Sequence, residues 1–282
     1  MQVTEKHIII SNRDIYTRIA SPVSHNPSCV VVLVHGIGDH SGRYVHWFEK
    51  FEDLGVAWLT ADLPGHGKSD GMRGHFSSLQ SPFAIIEQLL IMAEIRFPQL
   101  PIILYGHSMG GNIVANFVLR RHPKIQGVIL TSPWLGLIQD PPKWKLQLAK
   151  MVSVFNGKMV LKTGIRREQL TMDEHSLEKY ENDSLIHGKI TLGTFLIMYE
   201  AMHYAQSNAD HIRIPTLLVH GTGDTITDWN ATKAFSLKMG RRSKFVPFED
   251  MLHELHHDPN NDRVVSEVKK WIQTVIIEPN DN

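Results

Sequence analysis

Two serines in the 282-residue chain sit inside a G-x-S-x-G pattern: Ser108 in Gly106-His107-Ser108-Met109-Gly110, and Ser69 in Gly67-Lys68-Ser69-Asp70-Gly71. The pattern suits a nucleophile elbow, a sharp turn from strand to helix. Its glycines relieve crowding while the turn presents the hydroxyl at the carboxyl end of a sheet. Ser108 follows the apolar run PIILY (101–105) and precedes the helical pattern GNIVANFVLRRH (111–122). Ser69 lies between DLPGHG and GMRG, where proline and glycine on both sides specify a loop. Ser108 is therefore the candidate nucleophile.

A serine hydroxyl is a weak nucleophile and needs a histidine base, itself oriented by a carboxylate. On an α/β sheet carrying such an elbow the chain order is serine, acid, histidine. Asp224 stands just past the strand-like TLLVH (216–220), and His253 just past KFVPF (244–248). These two complete the expected triad. Asp228 is an alternative acid, further from its strand, and His256 and His257 are alternative bases; the other fourteen histidines read as structural or surface residues. The oxyanion formed on attack needs preorganised N–H donors. The Met109 N–H at the start of the helix after Ser108 is one candidate. The Ile37 N–H in the glycine-rich His35-Gly36-Ile37-Gly38 is the other.

His253-Glu254-Leu255-His256-His257 also spells H-E-x-x-H, a zinc-hydrolase signature that needs both outer histidines on one helix face. Pro259 disfavours helix at Asp258, and the motif falls where a triad histidine is required. The expectation is no catalytic metal.

These residues require a particular scaffold. HIII (7–10) and IYTRIA (15–20) read as a leading strand pair; CVVVLVH (29–35), VAWLTAD (56–62), PIILY, IQGVILTS (125–132), TLLVH and KFVPF read as buried strands. Helical patterns at 44–54, 81–97, 111–122, 230–239 and 262–277 alternate with them; in the second, Phe83, Ile86, Leu89, Leu90 and Ala93 make a core-facing stripe. The prediction is an α/β fold with a mostly parallel eight-stranded sheet and helices on both faces. From 134 to 210 the alternation stops, and the segment reads as helical without a convincing strand. It is expected to be a cap inserted into a core formed by 1–133 and 211–282.

Composition narrows the function. Lys plus Arg and Asp plus Glu both total 29, and no long basic run appears, so a nucleic-acid groove is not expected. The single cysteine, Cys29, reads as a buried thiol and fits a reduced, cytoplasmic setting. Neither a secretory leader nor an apolar span of membrane length is visible.

The segments HGIGDHSGRY (35–44), DLPGHGKSDG (62–71) and GHSMGG (106–111), with Asp224 and His253-Glu254, resemble the monoacylglycerol lipase and lysophospholipase branch of the α/β-hydrolases, over about residues 7–277. Matched residue by residue, the resemblance assigns Ser108, Asp224 and His253 to the triad, Ile37 and Met109 to the oxyanion hole, and Ser69 to a family loop. It implies a cap over an apolar acyl pocket, no cofactor, and hydrolysis of one ester bond in a small single-acyl lipid. Asp250 departs from the family, which often has glycine there, as does Asp183-Ser184, where Asp-Pro is common. Leu192, Phe195, Met198, Tyr199 and Met202 recur at helical spacing in the cap, and a subset (Leu192, Phe195, Met198 and Tyr199) is the candidate pocket lining. Transient contact of the cap with a membrane surface is a further expectation. A lysophospholipase, a short-chain carboxylesterase and a non-catalytic ligand-binding protein of the same fold stay open. An aminopeptidase is disfavoured because Met109 stands where those enzymes often carry tryptophan.

Overall fold

The computed structural model describes residues 1–277. Residues 278–282 of the expected second core segment lie outside the described residues. Ten strands occur in chain order: β1 (Gln2–Ile10), β2 (Arg13–Ser21), β3 (Cys29–Val34), β4 (Val56–Ala61), β5 (Ile102–His107), β6 (Gly127–Thr131), β7 (Val160–Lys162), β8 (Lys189–Thr191), β9 (Thr216–Gly221) and β10 (Ser243–Phe248). Eight form one sheet in the order β1-β2-β4-β3-β5-β6-β9-β10. The β1–β2 and β2–β4 pairings are antiparallel and the rest are parallel.

The parallel strands are buried on both faces, which is why they read as continuous apolar runs. In β3, Val30, Val32 and Val34 join one core, while Cys29, Val31 and Leu33 join the other. The first core is closed by α2 (Gln80–Arg96), α3 (Met109–Arg121) and α7 (Trp229–Met239), with Phe83, Ile113 and Phe235 fully buried. The second is closed by α1 (Val45–Glu49) and α8 (Asp262–Ile277), through Trp47, Phe48, Val264 and Val268. Cys29 is free and buried, and burial pushes its thiol up to about 12. The predicted helix at 44–54 is shorter than expected: α1 ends at Glu49 and turns lead to Gly55.

Between β6 and β9 lie α4 (Lys143–Asn156), α5 (Glu174–Asn182) and α6 (Leu192–Ser207), all outside the large sheet. This segment departs from the strand-free expectation. β7 and β8 pair antiparallel, Val160 opposite Thr191. Each strand has three residues, too few to show an alternating pattern, and their pairing joins segments distant in sequence. Among the described residues, no helix is long and apolar enough to cross a membrane.

The strand order positions the candidate site. From β3 the chain steps to β4 on one side and later to β5 on the other, so β3 and β5 flank the point where the winding reverses. Ligands of open α/β sheets bind at such a point, beyond the carboxyl ends of the strands. Val34 pairs with Gly106, so the loop with Ile37 and the turn with Ser108 leave the sheet side by side. Gly221 pairs with Phe248, and the loops beyond them carry Asp224 and His253 to the same edge.

Candidate active site

Ser108 occupies φ 53°, ψ −117°, a strained conformation at the junction of β5 and α3. The glycines around it permit the turn by close packing. A Cβ on Gly106 would lie 2.6 Å from the Gly110 carbonyl oxygen, and one on Gly110 would lie 2.1 Å from that of Val34. The Ser108 carbonyl accepts from the Asn112 and Trp134 N–H groups at 3.2 and 2.9 Å, holding the strained residue from both sides.

The structure brings the three expected residues together. Ser108 Oγ lies 2.9 Å from His253 Nε2, and His253 Nδ1 lies 2.7 Å from Asp224 Oδ2. The consistent assignment has the serine donating to Nε2 and the Nδ1–H donating to the carboxylate. Asp224 is held in turn by the Ile226 and Thr227 N–H groups on Oδ1, at 2.7 and 3.1 Å. The Thr227 hydroxyl donates to Oδ2 at 2.8 Å. His220 Nε2 reaches the same oxygen at 3.0 Å, while its Nδ1 meets Thr232 Oγ1 at 2.9 Å. His220 and Thr227 were not singled out from sequence. The legible signal was position, since His220 stands near the end of β9, four residues before Asp224.

Burial of Asp224 alone would raise its pKa, but the charge of His253 and hydrogen bonds from His220 and His253 hold it far below the carboxylate range. Burial of His253 would lower its pKa; the Asp224 charge and hydrogen bond outweigh this and raise it. The neighbouring His107 is pushed down to about 3, chiefly by burial and then by His253, so it stays neutral beside that ring.

The alternatives sit elsewhere. Asp228 caps α7, accepting from the Asn230 N–H at 2.8 Å. Residues 255–257 form one short 3-10 turn with His253 outside it, so the outer histidines of H-E-x-x-H do not share a helix face. The Ser69 hydroxyl donates to the Asp62 carbonyl at 2.7 Å and accepts from the Tyr16 N–H at 2.9 Å, pinning its loop to β2. Asp250 adopts φ 61°, which explains why glycine suits this position, and aspartate is among the residues that tolerate it. Asp183 Oδ2 meets His40 Nε2 at 2.8 Å, joining the end of α5 to the loop after β3.

Two chambers meet at Ser108. A cavity of about 480 Å³ runs under the inserted segment, lined by Trp134, Leu137, Ile165, Ile190, Phe195 and Ile226, with Gln139, Arg166 and Gln169 on its polar side. A chamber of about 30 Å³ lies against His253 and is lined by Asp39, Arg43, Tyr180, His187 and Glu254. Ile37, Ser108, Thr163 and Ile165 border both. Met109 is fully buried as the first residue of α3. Of the candidate pocket residues, Phe195 lines the large cavity. Leu192, Met198 and Tyr199 are absent from its wall and buried in packing; Met198 and Tyr199 belong to the core that α6 shares with α3. Helical spacing marks a buried face without distinguishing core from cavity.

A family model described as serine aminopeptidase, S33 matches residues 25–260. The chain belongs to the serine aminopeptidase S33 family of α/β-hydrolases. It is similar to the solved monoacylglycerol lipase of Paleococcus ferrophilus, with 30% identity, a TM-score of 0.81 and coverage of 91% of this chain and 98% of that one. The phospholipase YtpA of Bacillus subtilis is 28% identical over 254 residues, 89% of this chain and 97% of its own. An abhydrolase domain-containing protein of Dictyostelium discoideum is 30% identical over 88% of this chain, which spans only 26% of that relative's length. Within the S33 family this chain is monoacylglycerol lipase-like, and it is a carboxylic ester hydrolase.

Proposed function

We propose that the protein hydrolyses the ester bond of a single-acyl lipid, monoacylglycerol to free fatty acid and glycerol, through an acyl-serine intermediate. The observation that carries this reading is the meeting of an apolar cavity and a small polar chamber at one hydroxyl. An acyl chain suits the first, and the second sets polar side chains beside the same hydroxyl for the small alcohol. In this reading His253 takes the Ser108 proton as the oxygen attacks the ester carbonyl. Asp224 orients the imidazole and stabilises its charged form. The Ile37 and Met109 N–H groups hold the oxyanion. The alcohol leaves with the proton from His253, and water releases the fatty acid by the same steps.

The lipid would be met at a membrane surface. On α4, Trp144, Leu148, Met151 and Phe155 recur along one face and are 62%, 49%, 61% and 92% exposed. Lys143, Lys145 and Lys150 lie on the same helix. An apolar stripe with flanking lysines suits shallow seating in the headgroup region.

One observation favours a second reading, lysophospholipid hydrolysis: the exposed Arg166 lines the large cavity, where a guanidinium would meet a phosphate. The deciding experiment is fatty-acid release from long-chain monoacylglycerol and from lysophospholipid, by wild type and by Ser108→Ala. Fast release from monoacylglycerol, lost on the order of a millionfold in kcat in the variant, is expected. Cleavage of lysophospholipid alone would establish the second reading. Cleavage of short esters only would move the substrate away from long-chain lipids.

A further inference from the structure

We infer that Glu254, His256 and His257 form a binding site for one divalent transition-metal ion of the zinc type, adjoining the hydrolytic centre through Glu254, which also lines the small chamber at Ser108. Their donor atoms all lie within 4.8 Å of one another. The sequence assembles them locally. Glu254 immediately precedes the 3-10 turn of residues 255–257, and His257 stands three residues on, where a three-residue repeat brings side chains to one face.

The protein's own groups leave hydrogen-bonding capacity around the cluster unused. Both ring nitrogens of His256 are buried and without a partner, as are His257 Nε2 and Asp258 Oδ2. Buried polar groups are normally paired, so three free imidazole nitrogens beside a carboxylate call for an explanation. The rings are held from outside the cluster. Tyr44 stacks on His256 with centroids 4.6 Å apart, and His46 stacks on His257 at 4.5 Å. His257 Nδ1 contacts Ser176 Oγ at 3.3 Å, which leaves Nε2 facing Glu254 Oε2 at 4.0 Å.

Charge favours a cation. Asp39 and Glu254 share one guanidinium, Arg43, and all three side chains are less than a tenth exposed. Two buried carboxylates on one cation leave a net negative charge. Glu254 accepts two hydrogen bonds from Arg43 at 2.6 Å each, and its oxygens have about four lone-pair sites in all, so lone pairs remain for a metal. Two imidazoles, a carboxylate and a water make a zinc-type donor set, with metal–ligand distances of about 2.0–2.2 Å. Ligand atoms then lie about 3.4 Å apart in a tetrahedron, so the cluster must close by roughly an ångström or more. His256 and His257 also border a groove between α1 and α5 that carries His46, His175 and Asp173.

The test is a Co(II) titration of the chelator-treated full chain, followed by its visible ligand-field bands. One equivalent should bind to wild type and equally to Ser108→Ala, so the result does not depend on the proposed activity. His256→Asn/His257→Gln should lower the affinity by at least about 100-fold, at or beyond the roughly 10–100-fold cost of losing an outer-shell partner. No bands at one equivalent in wild type, or undiminished bands in the folded double variant, would overturn the site. X-ray absorption of the zinc-loaded wild type needs no variant: two imidazoles with an oxygen shell are expected, and a shell lacking imidazole refutes the assignment.

Discussion

The Arg43 guanidinium donates to both carboxylate oxygens of Glu254, at 2.6 Å each, across 211 residues of sequence. It also reaches Asp39 at 3.2 Å. The loop after β3, with Ile37, is thereby clamped to the loop that carries His253. Removing one partner of such a buried pair leaves the other charge uncompensated. Arg43→Met is expected to cost about 3–5 kcal/mol of stability in urea denaturation. Glu254→Gln keeps the shape and should cost less.

The pH dependence of hydrolysis follows from His253. Its pKa is raised by Asp224, and in the proposed mechanism the neutral ring is the base, so kcat/KM should rise with pH through a value above that of an ordinary histidine. Asp224→Asn removes the cause. Its acid limb should move to lower pH while kcat falls on the order of 10⁴-fold. An acid limb that stays in place would show that Asp224 does not set the titration.

Stability should fall on acidification for a separate reason. His35 and His66, with ring centroids 5.3 Å apart, are held neutral by burial, His66 well below the ordinary range. A base with a depressed folded pKa binds its proton more readily when unfolded. The loss therefore begins as pH drops through about 6.5, the unfolded value, and continues toward the folded ones. Melting temperature against pH checks this, and His66→Gln should flatten the curve.

Trp144 and Phe155 test the surface role of α4. Trp144→Ser/Phe155→Ser should weaken vesicle binding on the order of tenfold or more, from the apolar area withdrawn. Hydrolysis of a soluble short ester should not change. A loss on both substrates would place the effect in folding.

The sheet and the meeting of Ser108, Asp224 and His253 were legible because each rests on a short, strong signal. Buried parallel strands such as CVVVLV stand out as unbroken apolar runs, and the turn at Ser108 needs glycines at fixed offsets. The inserted segment was less legible. β7 and β8 are defined only by each other, and periodicity could not separate Phe195 on the cavity wall from Met198 in the core. The Arg43–Glu254 pair was hidden for another reason: its partners stand 211 residues apart and are brought together by strand order, which no local pattern encodes.

The strands β6 and β9 are parallel neighbours, with Val128 opposite Thr216 and Thr131 opposite Val219, so the segment between them leaves at the carboxyl end of one strand and crosses back to the amino end of the next. Its length and sequence can drift without disturbing a single rung of the large sheet. In the proposed reading, the lid that selects the molecule to be cut can therefore be exchanged while the blade is inherited unchanged.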